Sequence, residues 1–462
     1  MNELLFKNVF IPFYYSVYKK SNRLEFYKNL IKRNSLSVDE LYSIQWKRLK
    51  HLVNHCYNKI PHYQELFKKL DLHPNDIKNL TDYKKIPEFD EYSIIENPKS
   101  LINPELFEKE LIIDHVSGST GMPVKIYRTF EEQEYIYALR ARSNAWCGWN
   151  YWNKSYWINA EHKYNDFVKS KFSLFINRKK IANTKNICPK TMYSWVKQIR
   201  TFKPDYLYGY SSLLEEFSTF LTDEHILLKG IKGVFSSVEP LMQRELISKA
   251  FKAPVFDEYG CSKMPSIAHE CQYGNMHLNI DENLVEFESV NNDYKTKRII
   301  STPLYLYGMP ILRYNTGDTA IVIEENYKCS CGLPYPTVKL KTVKTNDNLL
   351  AGNGKLVSGE AITSYISTIT TGIKQFQILQ KDLFNITIKI TSYTTSSEEN
   401  ELKIKKLFYE LMETNLLKIT FEYYDKMPPS LSGQFRPVIS NISNNLNYRT
   451  NIRTNARLQS NK

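Results

Sequence analysis

The stretch Ile112-Ile113-Asp114-His115-Val116-Ser117-Gly118-Ser119-Thr120-Gly121-Met122-Pro123-Val124-Lys125-Ile126-Tyr127-Arg128 runs from a short apolar segment through small hydroxyl and glycine residues to a proline and a second alternating segment. The pattern is that of a loop between two strands. A Ser-Gly-Ser-Thr-Gly loop can turn its backbone N–H groups inward, because glycine allows positive φ and the hydroxyls add donors without bulk. Such a cradle suits a polyphosphate. It is not a P-loop, since no Gly-Lys-Ser/Thr follows at the required place and no helix signal opens there. Read alone, the segment also fits an ordinary flexible hairpin.

Outward from this loop, helix and strand patterns alternate. Upstream, apolar spacing from Ser37 to Leu70 predicts helices broken at Pro61. Downstream, Phe130 to Cys147 is helical in period and Ser155 to Ile158 reads as a strand. Met192 to Thr201 reads as a helix, Lys203 to Tyr210 as a strand entering a turn, and Ser211 to Leu221 as a helix. Gly233 to Ser237 is a buried strand, Leu241 to Phe251 a helix, and Pro254 to Gly260 a strand ending in glycine. This alternation predicts a parallel, doubly wound sheet whose ligands sit beyond the carboxyl ends of the strands.

From 275 to 325 the character changes to short β-segments, which predicts a β-barrel-like or meander subdomain. After a polar stretch, strands near Phe376 to Gln380 and Ile386 to Ile390 and a helix over Glu398 to Met412 predict a small α+β domain. The fold class is α/β: a large N-terminal domain over 1–340, a hinge over 341–354, a small C-terminal domain over 355–440 and a flexible basic tail over 441–462.

Composition narrows the class. At 462 residues, 42% hydrophobic and 24% charged, the chain is globular and long enough for two or three domains. The apolar run Val9 to Tyr15 is far shorter than a membrane span and is flanked by Lys7 and Lys19. The N-terminus lacks the small-residue cleavage site of a secretory signal, and seven unevenly spaced cysteines leave one unpaired in any disulfide scheme. A cytoplasmic setting follows as the expectation. The net charge is +13 but the cations are spread along the chain, so nucleic acid is a disfavoured partner despite Arg449, Arg453 and Arg457 in the tail. Residues 1–20 mix aromatics with lysines; packing on the body is preferred over lying on a membrane, so membrane contact is peripheral at most. Oligomeric state is not fixed by any of this.

Four motifs occur in order: His115-Val116-Ser117-Gly118-Ser119-Thr120-Gly121, Ser237-Val238-Glu239-Pro240-Leu241, Asp257-Glu258-Tyr259-Gly260-Cys261-Ser262 and Arg313-Tyr314-Asn315-Thr316-Gly317-Asp318. On these the chain resembles the adenylate-forming ligases, and within them the branch of phenylacetate–coenzyme A ligases and CapK-type capsular polysaccharide proteins, from about Pro61 to Arg436. The resemblance implies a ligase using ATP and Mg²⁺ to activate a carboxylic acid as acyl-AMP. The acyl group would pass to a thiol such as coenzyme A, an amine or a sugar hydroxyl, in surface polysaccharide synthesis. Ser117, Gly118, Ser119, Thr120 and Gly121 would hold the phosphates, and Tyr259 would lie against the adenine. Asp318 would bind the ribose hydroxyls, since a carboxylate is acceptor-only. Ser237, Glu239, Gly260 and Arg313 would complete the nucleotide site. An ion pair with Arg313 is the alternative for Asp318. Side chains near Tyr208, Tyr210, Ser236, Ser237 and Glu239 would select the acid.

The chain departs from that pattern at two charges. Lys263 stands where the family has an acidic residue after Tyr-Gly-x-Ser/Thr, and a lysine cannot ligate a hard metal. Gln434 follows Gly433 where the family has Gly-Lys, so a neutral amide faces the transferring phosphate. In the hinge the expected Gly-Arg is absent from Val343-Lys344-Thr345-Asn346-Asp347, leaving Lys344 as substitute and Asp347 as pivot. A retuned enzyme, with Lys263 or Lys426 supplying charge, is the first reading. A nucleotide-binding or scaffold homologue without catalysis is the alternative.

A separate constellation joins Cys271 and His277 to Cys329 and Cys331. Three thiolates and one imidazole form a closed tetrahedral set for a structural Zn²⁺, and Cys-x-Cys-Gly is a knuckle-like turn. His269 could replace His277, and three unrelated thiols with a histidine are the alternative.

Overall fold

The computed structural model describes residues 6–89, 97–106, 111–117, 123–158, 171–184, 188–237, 241, 243–260, 264–290, 293–323, 327–341, 349–352, 356–357, 362, 366, 369–370, 373–392, 398–425, 427 and 438–442. After an N-terminal segment Phe6–Tyr18 come α1 (Arg23–Lys32), α2 (Val38–Lys59) and α3 (Pro61–Lys69). Ser37 starts α2 with a reciprocal cap: its Oγ accepts from the Glu40 N–H at 3.3 Å while Glu40 accepts from the Ser37 N–H at 2.7 Å. The break at Pro61 occurs as expected, because the residue before a proline is driven out of the α region; Ile60 is extended at φ −108°, ψ 113°. The face Leu41, Leu49, Leu52, Val53 and Cys56 enters the main core.

The signature loop is flanked by strands as predicted: β1 (Leu111–Ser117) pairs antiparallel with β2 (Pro123–Thr129), from Leu111 opposite Thr129 to Ser117 opposite Pro123. β2 feeds α4 (Phe130–Ala145) through a second capping box at Thr129 and Glu132. α4 is buried on several sides, and three of its charges are paired inward. Glu134 accepts from Arg23 at 2.6 and 2.8 Å, Arg140 donates to Glu258 at 2.8 Å, and Arg142 donates to both oxygens of Asp281 at 2.7 and 3.1 Å. Buried pairs of this kind fix how elements meet more than they stabilise them.

The alternating region forms β3 (Ser155–Ile158), α5 (Lys171–Ile176), β4 (Lys179–Ile181), α6 (Pro189–Phe202), β5 (Tyr206–Tyr210), α7 (Ser211–Asp223), β6 (Gly233–Ser237), α8 (Arg244–Phe251) and β7 (Val255–Tyr259). The strands lie parallel in the order β4-β3-β5-β6-β7. Side chains alternate between the two faces. Tyr156, Leu207, Val234 and Val255 pack with the apolar sides of α6, α7 and α8, while Tyr206, Tyr208, Phe235 and Phe256 form an aromatic layer on the other face.

The expected meander is present, but it is not a separate sheet. β8 (Ala268–Glu270), β9 (Met276–Leu278), β10 (Asn283–Val290), β11 (Asp293–Pro303), β12 (Tyr314–Val322) and β13 (Thr337–Lys341) continue the parallel strands in one eleven-stranded sheet, ordered β10-β11-β12-β13-β9-β8-β7-β6-β5-β3-β4. The junction is antiparallel pairing of Glu258 with His269 and Tyr259 with Ala268. Local strand patterns carry no information on this joint, because a neighbour strand is chosen by long-range docking.

Residues 349–442 have their own core. β14 (Leu349–Leu350) pairs with β15 (Leu356–Val357), and β16 (Ile373–Gln380), β17 (Asn385–Ser392), β18 (Lys418–Tyr423) and β19 (Val438–Ser440) form a sheet ordered β18-β17-β16-β19. α9 (Glu398–Met412) covers it through Ile404, Leu407, Phe408 and Met412. Both predicted strands and the helix fall where the pattern put them. No helix among the described residues is long and apolar enough to cross a membrane.

Candidate active site

The carboxyl ends of β5, β6 and β7 bring Tyr210, Ser237 and Tyr259 to one edge of the sheet, where a doubly wound fold binds its ligands. Gly260 must be glycine there: a Cβ would lie 2.7 Å from the Ser266 nitrogen and 2.9 Å from the Met264 carbonyl oxygen. From the antiparallel side, β12 contributes the Thr316-Gly317-Asp318 turn. The β11–β12 register passes from Arg298 opposite Thr319 to Ile300 opposite Asn315, so these three residues bulge out of the ladder. Gly317 takes φ +76°, and the Asp318 N–H donates to Thr316 Oγ1 at 3.1 Å. The bulge presents Asp318 to Tyr259, whose hydroxyl donates to Asp318 Oδ2 at 3.0 Å. Two residues singled out 59 positions apart thus meet across the sheet junction.

Arg313 does not join them. Its Nε and Nη2 donate to Glu286 at 2.9 and 3.0 Å, and its Nη1 donates to the carbonyls of Ile86 and Lys84 at 2.6 and 3.1 Å. In place of an ion pair with Asp318, the guanidinium forms a strut that fastens residues 84–89 to β12. The physical reason is Glu286, a carboxylate on the buried side of β10 beside Leu284, which requires a cation. Burial opposes the charge on Arg313, but Glu286 outweighs it and holds the guanidinium pKa above its usual value. Arg313→Ala is expected to destabilise the protein by about 3 kcal/mol by leaving that carboxylate unpaired. A urea midpoint reads this, and nucleotide affinity of the folded protein should stay within about twofold.

The residues expected to select the acid are divided between faces. Tyr208 stacks between Trp157 (4.4 Å, 8°) and Phe235 (4.7 Å, 22°), and its hydroxyl accepts from Asn144 of α4 at 3.0 Å. The Lys179 ammonium sits 3.3 Å from the Trp157 ring centroid, and burial, then Arg140 and Arg23, pull its pKa down to about 7. Ser236 instead shares a hydrogen bond with Ser211 at 2.6 Å. Glu258, which sequence reasoning passed over, is held between Arg140 and Ser266, directly before Tyr259. Its only signal was its place at the carboxyl end of a strand.

Gly118, Ser119, Thr120, Gly121, Glu239, Lys263, Lys344, Asp347, Lys426 and Gln434 lie outside the described residues, and Ser117 is described through its backbone only.

The cysteine constellation is assembled. Ligand atoms of Cys271, His277, Cys329 and Cys331 all lie within 4.8 Å of one another. Cys271 Sγ and Cys329 Sγ are 3.7 Å apart, and Cys331 Sγ and His277 Nε2 are 3.3 Å apart. Tetrahedral Zn²⁺ with ordinary bond lengths needs edges of roughly 3.8 and 3.6 Å, whereas a disulfide needs about 2.05 Å. His277 Nδ1 lies 2.7 Å from the Tyr335 carbonyl oxygen, so donation there leaves Nε2 free to ligate. Backbone N–H groups of Tyr273, Cys331 and Leu333 point at the three sulfurs at 3.4 to 3.5 Å, in turns where Gly274 and Gly332 take φ +73° and +74°. Burial, then the neighbouring Cys329 and Cys271, push the Cys331 thiol up to about 12, as expected where thiolates crowd without a cation. His269 is engaged elsewhere, with the Glu270 carbonyl at 2.7 Å and Asn144 at 3.1 Å, so His277 is the fourth member.

Comparison with known proteins places this geometry. A family model described as the CapK C-terminal domain matches residues 349–441. The chain is 23% identical to Protein CapK of Staphylococcus aureus over 466 aligned residues, 95% of this chain and 98% of that protein. It is 27% identical to phenylacetate-coenzyme A ligase of Escherichia coli (strain K12) over 300 residues, 61% and 67% of the two chains. Its fold matches a crystal structure of 2-hydroxyisobutyryl-CoA ligase in the postadenylation state, with a TM-score of 0.69 at 14% identity, over 92% of this chain and 94% of that one. With the ordered motifs and the Tyr259–Asp318 pairing stand these likenesses: residues 349–441 match the CapK C-terminal domain, the chain is similar to CapK along nearly its whole length and to phenylacetate-coenzyme A ligase over three fifths of it, and its fold is that of an acid–CoA ligase.

Proposed function

We propose that the protein is an ATP-dependent ligase that activates a carboxylic acid as its acyl adenylate. The observation that carries this reading is Tyr259 bonded to Asp318 on a bulge at the carboxyl ends of the parallel strands. In the proposed reaction an oxygen of the acid attacks the α-phosphorus of ATP and pyrophosphate leaves. An acceptor then attacks the acyl carbon and AMP leaves. A coenzyme A-type thiol is the acceptor favoured by the named relatives, before an amine or a sugar hydroxyl.

In this reading the Ser117–Gly121 loop donates N–H and hydroxyl groups to the phosphates, Tyr259 covers the adenine and Asp318 accepts from the ribose hydroxyls. Ser237, Glu239 and Gly260 line the same edge. Mg²⁺ would neutralise phosphate charge; with lysine at 263, its ligands would come from the triphosphate and water. Cys271, His277, Cys329 and Cys331 would hold a structural Zn²⁺ that clasps the β8–β9 turn to the loop before β13. Lys344 and Asp347 would serve a hinge before the C-terminal domain. A role in capsular polysaccharide synthesis, and a cytoplasmic setting, extend this proposal from the likeness to CapK.

Label exchange between pyrophosphate and ATP should appear with the right acid and only with it. A second reading, a nucleotide-binding homologue without turnover, is favoured by Lys263 and Gln434. Silence across a broad acid panel, from protein that binds ATP in a calorimeter, would decide for it. If the site is active but weakened, Gln434→Lys should raise the adenylation rate about tenfold or more by restoring a charge at the transferring phosphate. A rate no higher than that of the unaltered protein would remove Gln434 from the phosphate site.

A further inference from the structure

The N-terminal segment packs through one stripe only. Ile11, Tyr14 and Tyr15 are buried with Ile176, Leu24, Tyr151 and Trp152, and the Tyr14 hydroxyl donates to Ser173 at 2.9 Å. On the other side Val9, Phe10, Phe13, Val17 and Tyr18 face outward, with Phe13 and Val17 56% and 58% exposed. α5 extends the same surface. Phe172 meets Tyr14 and Tyr18 at ring-centroid distances of 5.9 and 5.2 Å, yet it and Phe175 remain 45% and 55% exposed. Single exposed apolar residues are ordinary, whereas a contiguous group drawn from two distant segments marks a contact surface.

Charge selects the occupant. Residues 6–20 and 171–180 hold no aspartate or glutamate, and apart from Lys179, which is covered by the Trp157 ring, they carry Lys7, Lys19, Lys20, Lys171, Arg178 and Lys180. Lys19 is drawn to Glu134 at 3.1 Å, while Lys20 is exposed at the end of the segment. A second copy related by a twofold axis would set cation against cation. An acidic lipid surface would meet the same cations with opposite sign while the rings enter the headgroup boundary. We propose that the face formed by Phe13, Val17, Tyr18, Phe172 and Phe175 docks on an anionic phospholipid bilayer as a peripheral contact. This assignment is independent of the ligase chemistry.

The test is flotation of the full chain with phosphatidylcholine vesicles containing or lacking phosphatidylglycerol. Binding is expected with phosphatidylglycerol and should weaken as salt rises. The double variant Phe13→Glu, Phe175→Glu should lower the bound fraction by about tenfold, while its far-ultraviolet circular dichroism stays that of the unaltered chain. Phe13→Trp should shift its emission to the blue on adding the anionic vesicles. The proposal is overturned if the chain fails to float with phosphatidylglycerol, if the double variant floats equally well, or if light scattering finds a dimer that this variant dissociates.

Discussion

Asp318→Ala is expected to weaken ATP binding by about 3 to 4 kcal/mol, roughly two to three orders of magnitude in Kd, through loss of charge-assisted hydrogen bonds to both ribose hydroxyls. Titration calorimetry with ATP reads this directly. A comparison nucleotide lacking both hydroxyls isolates the cause. The unaltered protein should prefer ATP strongly, whereas the variant should bind the two nucleotides about equally. Tyr259→Phe keeps the ring and removes only the hydroxyl that donates to Asp318 at 3.0 Å, so a smaller loss, roughly tenfold, is expected. An Asp318→Ala protein that keeps full ATP affinity would mean that the sugar lies elsewhere and that the bulge at Thr316–Asp318 serves the sheet alone.

Removal of the metal is the second large effect. Purified protein should contain one zinc per chain, and stripping it with a strong chelator should lower the midpoint of unfolding by about 10 °C, from a loss of roughly 5 kcal/mol. The expected size follows from geometry. Cys271 precedes β9 and His277 lies within it, Cys329 and Cys331 precede β13, and β9 and β13 are hydrogen-bonded neighbours in the antiparallel part of the main sheet. Without a cation, three crowded thiols and a buried imidazole would be held only by weak sulfur contacts and hydrogen bonds to the backbone. Cys329→Ser should reproduce the loss and should not be rescued by added zinc. Protein that holds no zinc yet melts at the same temperature after chelation would leave the four residues as a packed cluster.

Much of this was legible along the chain because it rests on short-range causes. The Ser37–Glu40 and Thr129–Glu132 caps, the break at Pro61 and the period-2 strands each depend on neighbours within a turn or two. The Thr-Gly-Asp bulge has an equally local cause, glycine at positive φ, although only the carboxylate after glycine was read from the sequence. Glu286 was the missed signal: a carboxylate on the inner side of an otherwise apolar strand face announces a buried cation, though not which one.

What the sequence by itself determined was the set of elements and the chemical menu: alternating strands and helices, a glycine-serine loop between strands, a carboxylate after glycine, and three thiols with a histidine. Tertiary structure alone decided the pairings. It joined the meander to the parallel strands, turned Arg313 to Glu286 rather than Asp318, brought Tyr259 to Asp318, and chose His277 over His269. Local propensity acts over a few residues, whereas the partner of a buried charge is set by which strands become neighbours and which face they bury.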